Sequence, residues 1–285
     1  MTYFEVLNIA KDILKNNNKP FIDAEIILSY ILKKDRTYIH CHLNDKIDET
    51  LEKSFLNMIK ERALGRPLQY ILGEWEFYGL KFIVKEGVLI PRPDTEVLVE
   101  KCLEILKNIN SPKIIDIGCG SGAISIAIAY NKKDSTVYAL DIDSTPLEIT
   151  RLNAEKNNVQ DRVYIKKSDL LKNLDDDLKG RVDLIVSNPP YIKEEEIKDL
   201  MDEVKNFEPK LALSGGEDGL YFYREISKEA KVYLKKNGYI AFEIGYNQRM
   251  DVKKILEGEG YKNIEIFKDL AGLDRVIIAK YVDNL

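Results

Sequence analysis

The segment of this sequence that most constrains its fold is a strand-like run that leads into closely spaced glycines and then into an apolar helix. It begins at Ile114 and reads IIDIGCGSGAISIAIA. Gly118, Gly120 and Gly122 follow the strand in a G-x-G-x-G pattern, and glycines permit a tight turn that a ligand can approach closely. The following helix offers free N–H groups at the positive end of its dipole. The segment predicts a strand, a ligand-binding loop and a helix in that order.

From Lys113 onward, strand-like and helix-like stretches alternate along the chain. The strand-like stretches read KIIDIG, TVYALDID, RVYIKKSD, VDLIVSN and GYIAFEIG, and helical stretches such as TPLEITRLNAEKNN separate them. This alternation predicts an α/β fold with a parallel sheet covered by helices on both faces. The tail, NIEIFKDLAGLDRVIIAKY, indicates two strands joined by a short loop, which predicts an antiparallel hairpin at the edge of the sheet.

The N-terminal part of the chain is predicted to be a small helical domain. Apolar residues recur at helical spacing in YFEVLNIAKDIL and AEIILSYILK, and ETLEKSFLNMIKERALG closes at Gly65 in the manner of a helix C-terminus. Aromatic and β-branched residues indicate a β-hairpin in PLQYILGEWEFYGLKFIVKEGVLI, after which Asp94 or Thr95 is expected to cap a helix. The predicted organisation is a helical domain at 1–72, a hairpin linker at 73–92 and an α/β domain at 93–285.

Composition and charge indicate a soluble globular protein. The chain has 285 residues and a net charge of -5, which argues against the broad basic surface of a nucleic-acid binder. No apolar run approaches the ~20 residues of a membrane-spanning helix, and the N-terminus lacks the apolar core of a signal peptide. Three widely spaced cysteines fit a reducing compartment, and His40 and His42 lack a nearby cluster of metal ligands. We expect a cytoplasmic monomer that contacts neither membrane nor nucleic acid directly and holds no metal.

Two aspartates stand where sheets of this kind bind an adenosine-containing cofactor. Asp141 ends the second strand, twenty-one residues beyond Gly120, where a carboxylate accepts hydrogen bonds from ribose hydroxyls. Asp169 ends the third strand and can reach the adenine edge from a neighbouring strand tip. The glycine spacing differs from the G-x-G-x-x-G fingerprint of dinucleotide-binding proteins. With a fourth strand that ends in NPPY, the pattern resembles the S-adenosylmethionine-dependent methyltransferases of the Rossmann-like class.

The stretch SNPPYIKEEE begins at Ser187, follows the fourth strand and therefore reaches the same crevice. Planar –NH₂ nitrogens are poor nucleophiles because their lone pair is delocalised, so an enzyme must hold such a nitrogen in line with the methyl carbon. Asn188 Oδ1 and the Pro189 carbonyl are acceptors for its two N–H groups, and Tyr191 can lie against its flat face. The stretch predicts methylation of adenine, guanine, cytosine or a glutamine or asparagine amide, with the proton lost to solvent.

Over essentially its whole length the sequence resembles the HemK/PrmC family of protein-(glutamine-N5) methyltransferases, which modify peptide chain release factors. The most specific of the shared stretches are IPRPDTE, FEP and GGEDGL, whereas NPPY also occurs in DNA and ribosomal RNA methyltransferases. Further stretches that carry the resemblance are GRPLQYILGEWEFYGLKFIV, DIGCGSGAISIA, SNPPYI and DLAGLDRVIIAKY. The substrate that the resemblance implies is the glutamine in the Gly-Gly-Gln loop of a release factor, with the helical domain gripping other parts of that protein.

The resemblance also implies roles for individual residues. S-adenosyl-L-methionine, which becomes S-adenosyl-L-homocysteine, would be contacted from the glycine loop and the strand ends by Gly118, Cys119, Gly120, Ser121, Gly122, Asp141, Asp169, Leu170 and Asn188. The glutamine pocket would consist of Asn188, Pro189, Pro190 and Tyr191. Leu170 stands where some relatives carry an aromatic residue, so an apolar wall is expected there. Arg92, in IPRPDTE, is expected to lie near the methionine end of the cofactor or to pin the linker.

Three other functions remain to be separated from this one. A nucleic-acid amino-group methyltransferase would use the same pocket, but base flipping calls for a basic phosphate clamp that an acidic chain does not suggest. A sibling glutamine methyltransferase that acts on a ribosomal protein would differ only in its docking surface. A non-catalytic binding module is disfavoured by the intact glycine loop, Asp141 and NPPY.

Overall fold

Residues 1–282 are described by the structure, a computed structural model, and they divide into two units. The first unit comprises Met1–Glu74 with Met201–Phe207, and the second contains the remaining described residues. The boundaries inferred from the sequence stay a prediction, and residues 283–285 of the predicted α/β domain lie outside the described residues.

The helices and strands of the described residues are numbered in chain order. The α-helices are α1 (Tyr3–Ile13), α2 (Pro20–Leu32), α3 (Arg36–Cys41), α4 (Glu49–Ala63), α5 (Leu68–Leu72), α6 (Thr95–Leu106), α7 (Ala123–Asn131), α8 (Ser144–Lys156), α9 (Asp202–Phe207), α10 (Tyr221–Tyr233) and α11 (Arg249–Gly258). The strands are β1 (Glu74–Phe77), β2 (Leu80–Ile83), β3 (Lys113–Ile117), β4 (Thr136–Asp141), β5 (Val163–Lys167), β6 (Val182–Ser187), β7 (Leu234–Glu243), β8 (Lys262–Lys268) and β9 (Asp274–Lys280).

The first unit is helical, as the apolar spacing predicts, and the side chain of the preceding residue caps each of α1, α3 and α4. At the start of α1, the Thr2 hydroxyl accepts from the Glu5 N–H while the Glu5 carboxylate accepts from the Thr2 N–H, which is a capping box. α2 begins with Pro20, whose missing N–H is harmless in the first turn. α3 was not predicted, because its six residues are too short to show a helical period.

The two histidines beside Cys41 make local contacts in this unit. His40 Nε2 lies 2.9 Å from Glu25 Oε1, and the His42 ring stacks on Tyr38 with the ring centroids 3.9 Å apart. Within the described part of the chain, no group of three or more His, Cys, Asp or Glu side chains is placed to hold a metal ion. Among the same residues, no helix has the length and apolarity needed to cross a membrane.

A separate two-stranded sheet of β1 and β2 forms the hairpin that the sequence predicts. Before residue 73, where the hairpin linker is predicted to begin, Leu68–Leu72 of the stretch PLQYIL forms the short helix α5. Gly73 follows α5 with a φ of 73°, and a left-handed glycine at this position ends a helix and redirects the chain.

The second unit is built on a seven-stranded sheet with the order β5-β4-β3-β6-β7-β9-β8. β9 runs antiparallel to β7 and β8, and the other neighbouring strands are parallel. The predicted α/β fold with an antiparallel C-terminal pair is confirmed. The chain passes outward from β3 through β4 to β5 and then returns to the other side of β3 as β6. Ligands of open α/β sheets bind at the carboxyl ends of the strands beside such a reversal.

Apolar side chains cover both faces of this sheet. Successive residues of a strand point to opposite faces, so Ile114 and Ile115 of β3 belong to different buried clusters. All six residues of β6 are buried, up to Ser187 at its carboxyl end. The strands that end at the reversal are therefore held firmly from both sides, and the polar residues that follow them are fixed in position.

Candidate active site

A cavity of about 250 Å³ lies at the carboxyl ends of β3, β4, β5 and β6, within the second unit. Its wall combines the glycine loop, the strand-end aspartates, the NPPY turn and the segment before α6. The wall residues used below are Arg92, Thr95, Gly118, Gly120, Asp141, Asp169, Leu170, Asn188, Pro189 and Pro190. The cavity therefore occupies the place that the strand order indicates for a ligand.

The three glycines of the loop are required for two different reasons. Gly118, Gly120 and Gly122 have φ values of 72°, 56° and 79°, a left-handed conformation that strains other residues. A Cβ on Gly118 or Gly120 would meet nothing within 4 Å, so open space lies beside the backbone there. A Cβ on Gly122 would lie 2.8 Å from Ile126 Cδ1 and 2.9 Å from Thr150 Cγ2. Two glycines leave room beside the backbone, and the third allows the loop to pack on helices α7 and α8.

Helix α8 anchors the glycine loop through two polar side chains. The Thr150 hydroxyl donates to the Gly120 carbonyl at 3.1 Å, and Asn153 Nδ2 donates to the Ser121 carbonyl at 2.9 Å. The Ile83 N–H donates to Asn153 Oδ1 at 2.6 Å, so the same side chain also holds the end of β2. These bonds satisfy buried backbone groups and fix the loop in one conformation.

Asp141 ends β4 at the edge of the cavity. Its Oδ2 accepts from the Gly120 N–H and its Oδ1 from the Asp143 N–H, each at 3.1 Å. Burial raises the pKa of Asp141, and the backbone N–H bonds oppose that rise. The Ile142 N–H also bonds to this carboxylate, and since an ionised carboxylate has about four acceptor sites, capacity for a ligand hydroxyl remains.

Asp169 and Leu170 follow β5 and line the same cavity. The Asp169 side chain is half exposed and pairs with Lys172 Nζ at 2.6 Å. Leu170 has a φ of 50°, which is rare for a residue other than glycine, asparagine or aspartate. The apolar wall expected at Leu170 is therefore available at this strand end.

The NPPY turn begins directly at the buried end of β6. The Ser187 hydroxyl donates to the Ile117 carbonyl at 2.7 Å and so joins the end of β6 to the start of the glycine loop. Asn188, Pro189 and Pro190 line the cavity, and Asn188 Nδ2 donates to Thr95 Oγ1 at 3.3 Å. The amide of Asn188 therefore has a defined partner on one side.

Thr95 makes a polar contact in the interior that the sequence did not suggest. Asp94 occupies the N-cap position of α6, one of the two residues expected there, although its side chain makes no capping hydrogen bond. The Thr95 hydroxyl donates to Glu243 Oε2 at 2.6 Å. Both residues are buried, with exposed fractions of 5% and 2%.

Glu243, the last residue of β7, is a buried carboxyl group with a shifted pKa. Burial raises the pKa of Glu243 to about 7, while hydrogen bonds from Thr95 and Asn188 and the charge of Arg275 act in the opposite direction. Arg275 Nη2 lies 3.0 Å from Asp269 Oδ2, so this arginine also has a closer anionic partner. Glu243 therefore titrates near neutral pH, directly behind Asn188.

Tyr191, the last residue of the NPPY turn, packs outside the cavity wall. Among the described residues it packs against the apolar cluster that contains Tyr223 and is not part of the cavity wall. Burial, with the nearby charge of Glu243, raises the pKa of Tyr191 to about 12. Its carbonyl accepts from Gln248 Nε2 at 3.0 Å. The contribution of Tyr191 that these contacts support is to fix the turn.

Two glycines of GGEDGL allow this segment to lie against the NPPY backbone. A Cβ on Gly215 would lie 2.8 Å from the Pro190 carbonyl oxygen, and one on Gly219 would lie 2.5 Å from that of Tyr191. Neither position has space for a side chain. The segment therefore acts as a backbone support for the turn.

Arg92 connects two of the stretches singled out in the sequence. Its Nη2 lies 2.5 Å from Glu208 Oε1, which joins IPRPDTE to FEP, and Glu208 is almost completely buried. Arg92 also lies in the cavity wall. This ion pair holds the segment before α6 across one side of the cavity.

Most of the predicted site residues come together in one wall. Gly122 and Tyr191 are outside it, and the others line it: Gly118, Cys119, Gly120, Ser121, Asp141, Asp169, Leu170, Asn188, Pro189 and Pro190. Sequence reasoning missed Thr95, Glu243 and Gln248 as contributors to the site. Glu243 could have been found, because it is an acidic residue at the end of a predicted strand, as Asp141 is.

This strand order, with a G-x-G-x-G loop at the reversal and an acid ending the next strand, defines a Rossmann-like class I methyltransferase. Residues 93–210 match the family model Methyltransferase small domain, and residues 5–73 match PrmC N-terminal domain. A solved methyltransferase from Pyrococcus furiosus, 20% identical, shares the fold with a TM-score of 0.53 over 73% of this chain and 91% of that one. The protein is an enzyme of this class.

Closer relatives give the family. The release factor glutamine methyltransferase of Clostridium botulinum is 49% identical over 259 residues, which cover 91% of this chain and 91% of that one. The enzyme of the same name from Fusobacterium nucleatum is 48% identical over 279 residues, or 97% of this chain and 78% of that one. The chain belongs to the release factor glutamine methyltransferase family.

Proposed function

We propose that this enzyme transfers a methyl group from S-adenosyl-L-methionine to the side-chain amide nitrogen of the glutamine in the Gly-Gly-Gln loop of peptide chain release factors. The names of both bacterial relatives support this substrate. The observation that carries the proposal is that Asn188 and Pro189 line the same cavity as the glycine loop and Asp141. An amide-binding turn and a nucleoside-binding loop thus face one space.

The wall of the cavity fits S-adenosyl-L-methionine. Open space beside Gly118 and Gly120 lets a ligand approach the backbone, and Asp141 has free acceptor capacity for ribose hydroxyls. Leu170 supplies an apolar wall for the base, and the Asp169 carboxylate is close enough to the cavity to accept from it. These contacts are the ones we propose for the cofactor.

S-adenosyl-L-methionine, when bound, supplies a methyl group on a positively charged sulfur and leaves as S-adenosyl-L-homocysteine. The residues of the chain act on the glutamine. Asn188 Oδ1 and the Pro189 carbonyl accept its two N–H groups, which fixes the nitrogen and directs its face toward the cofactor side of the cavity. One amide proton passes to solvent, so no general base is required.

Selection of the release factor, in this proposal, depends on the helical first unit. The pocket around Asn188 contacts little more than one amide group, and that is too small a surface to select a protein substrate. We propose that the first unit binds the release factor outside its Gly-Gly-Gln loop.

The test is to incubate the purified protein with isotopically labelled S-adenosyl-L-methionine and, separately, a release factor, a ribosomal protein and duplex DNA. Mass spectrometry of the digested products then locates the methyl group. We expect label on the glutamine of the Gly-Gly-Gln loop and none on a matched release factor with that glutamine changed to alanine. Label on the ribosomal protein or on DNA, with an unmodified release factor, would overturn the proposal.

A further inference from the structure

Asn188 has two chemically different ends, and its function depends on which one faces the substrate. The amide oxygen accepts hydrogen bonds and the amide nitrogen donates them, and the two are exchanged by a rotation of 180° about the last side-chain bond. A substrate –NH₂ group needs the oxygen. A site that relies on an asparagine acceptor must therefore have a means of preventing this rotation.

The buried contacts behind Asn188 supply that means. Above pH 7, where Glu243 is ionised, its carboxylate can only accept, so the Thr95 hydroxyl donates its one proton to Glu243 Oε2, at 2.6 Å. The hydroxyl oxygen is then left with lone pairs, and Asn188 Nδ2 donates to it at 3.3 Å. Asn188 Nδ2 also hydrogen-bonds to Glu243 itself. In the rotated amide, Oδ1 would face two acceptors in a buried place, which is unfavourable.

We propose that Thr95 and Glu243 are positioning residues that fix the amide of Asn188 with its oxygen toward the substrate. They thereby select glutamine over glutamate. This inference rests on the proposed function. Neither residue needs to touch the substrate nitrogen. Their location in the interior, at the start of α6 and the end of β7, holds them in place. The positive charge of Arg275 favours the ionised form of Glu243.

The selectivity follows from the same geometry. A glutamate carboxylate has no N–H to donate at neutral pH and would be repelled by Asn188 Oδ1 and the Pro189 carbonyl. If the Thr95 hydroxyl is removed, the amide of Asn188 can rotate at lower cost and offer its N–H groups instead. The site would then hold glutamine less well and glutamate better.

The experiment compares Thr95→Val, Thr95→Ser and the control Thr136→Val, which is at the amino end of β4. We expect Thr95→Val to lower kcat for release factor methylation about 10- to 100-fold, with affinity for S-adenosyl-L-methionine within about threefold of wild type. Thr95→Ser, which keeps the hydroxyl, should restore kcat to within about fivefold. Equal kcat in wild type and Thr95→Val, or equal losses in the Val and Ser variants, would overturn the inference.

A second measurement tests the selectivity directly. A release factor whose Gly-Gly-Gln glutamine is changed to glutamate serves as a competitive inhibitor of the methylation. For each enzyme, the inhibition constant of this glutamate form is divided by the KM of the release factor that carries the glutamine. We expect this ratio to be at least severalfold lower for Thr95→Val than for wild type or Thr95→Ser. Inhibition in the same ratio for all three proteins would contradict the proposed role.

The outcomes separate this inference from the function on which it rests. A wild-type protein that does not methylate the release factor refutes the proposed function, whereas an active wild type with an equally active Thr95→Val refutes only the inference. If Thr95→Val fails to fold, a measurement on the wild type replaces it. Nuclear magnetic resonance then measures the solvent exchange of the Asn188 side-chain NH₂ protons. Slow solvent exchange of those protons supports a buried donor toward Thr95, and fast exchange contradicts it.

Discussion

Asn188 and Glu243 lie next to each other at the ends of two adjacent parallel strands. Ser187 of β6 pairs with Phe242 of β7 in the sheet register. The residues that follow them, Asn188 and Glu243, are therefore at the same height along the two strands. The Thr95 hydroxyl lies between their side chains and bonds to both. The sheet therefore determines the distance between the residue that faces the cavity and the buried carboxylate behind it.

Replacement of Asn188 by alanine should abolish most methyl transfer and leave cofactor binding largely intact. The change removes an acceptor for the substrate amide, and losing one such fixed contact costs about 100-fold or more in kcat. The measurement is single-turnover methylation of a release factor, with S-adenosyl-L-methionine affinity determined in parallel. Asn110→Ala, an exposed asparagine substitution, is the control. Unchanged turnover in Asn188→Ala would refute the two-acceptor arrangement.

Asp141→Ala should weaken the binding of S-adenosyl-L-methionine. Loss of a charged acceptor for ribose hydroxyls costs about 1–3 kcal/mol, which is about 5- to 150-fold in Kd. Isothermal titration calorimetry measures this directly. Asp134→Ala removes the same charge from an exposed turn before β4 and should bind as wild type does. An Asp141 variant with the affinity of the Asp134 variant would show that the carboxylate does not contact the ligand.

The fold was accessible from the sequence because its signals are local. Strand-helix alternation from Lys113 onward, and the two-strand tail, predicted the seven-stranded sheet and its antiparallel edge. The glycine loop and Asp141 were found for the same reason, since their positions relative to the strand ends can be counted along the chain. Residues whose role is set by neighbours in sequence are the ones that sequence reasoning places well.

The residues that were missed have roles set by distant neighbours. Thr95 was considered only as an alternative to Asp94 for the cap of α6, yet its hydroxyl bonds to Glu243, 148 residues away. Gly219 was quoted in a shared stretch with no physical reason, because the backbone of Tyr191 that it must accommodate comes from another part of the chain. Long-range contacts of this kind leave no periodic pattern in the sequence.

Gly219→Ala should displace the NPPY turn and lower the free energy of unfolding. The φ of Gly219 is 74°, and an added Cβ would lie 2.5 Å from the Tyr191 carbonyl oxygen. We expect a loss of about 3 kcal/mol, from left-handed strain together with the steric clash. Gly180→Ala is a matched control, because Gly180 has a φ of 67° but nothing within 4 Å of its Cβ position. If both variants lose the same stability in urea unfolding, the contact with Tyr191 has no role.

Glu243→Gln should change how stability depends on pH. Burial raises the pKa of Glu243 from 4.5 to about 7 in the folded protein, whereas the unfolded chain keeps the ordinary value. Between these values the folded protein holds a proton that the unfolded chain has lost. The contribution of Glu243 to stability therefore falls as the pH rises from 4.5 to 7 and is constant above 7. Glutamine does not titrate. The free energy of unfolding of the variant should therefore rise relative to that of wild type by about 3 kcal/mol over this range.

The measurement is urea unfolding of both proteins at several pH values from 4.5 to 8. Asp116, whose pKa is also raised to about 7 by burial, is present in both proteins, so its contribution cancels in the difference. The other charged or titratable groups near Glu243 are Arg275, Asp94, Tyr191 and Tyr223, and these too are common to both. A difference in unfolding free energy that stays constant across the range would mean that Glu243 is ionised at an ordinary pKa. The carboxylate behind Asn188 would then be solvated, in contradiction to its burial in the structure.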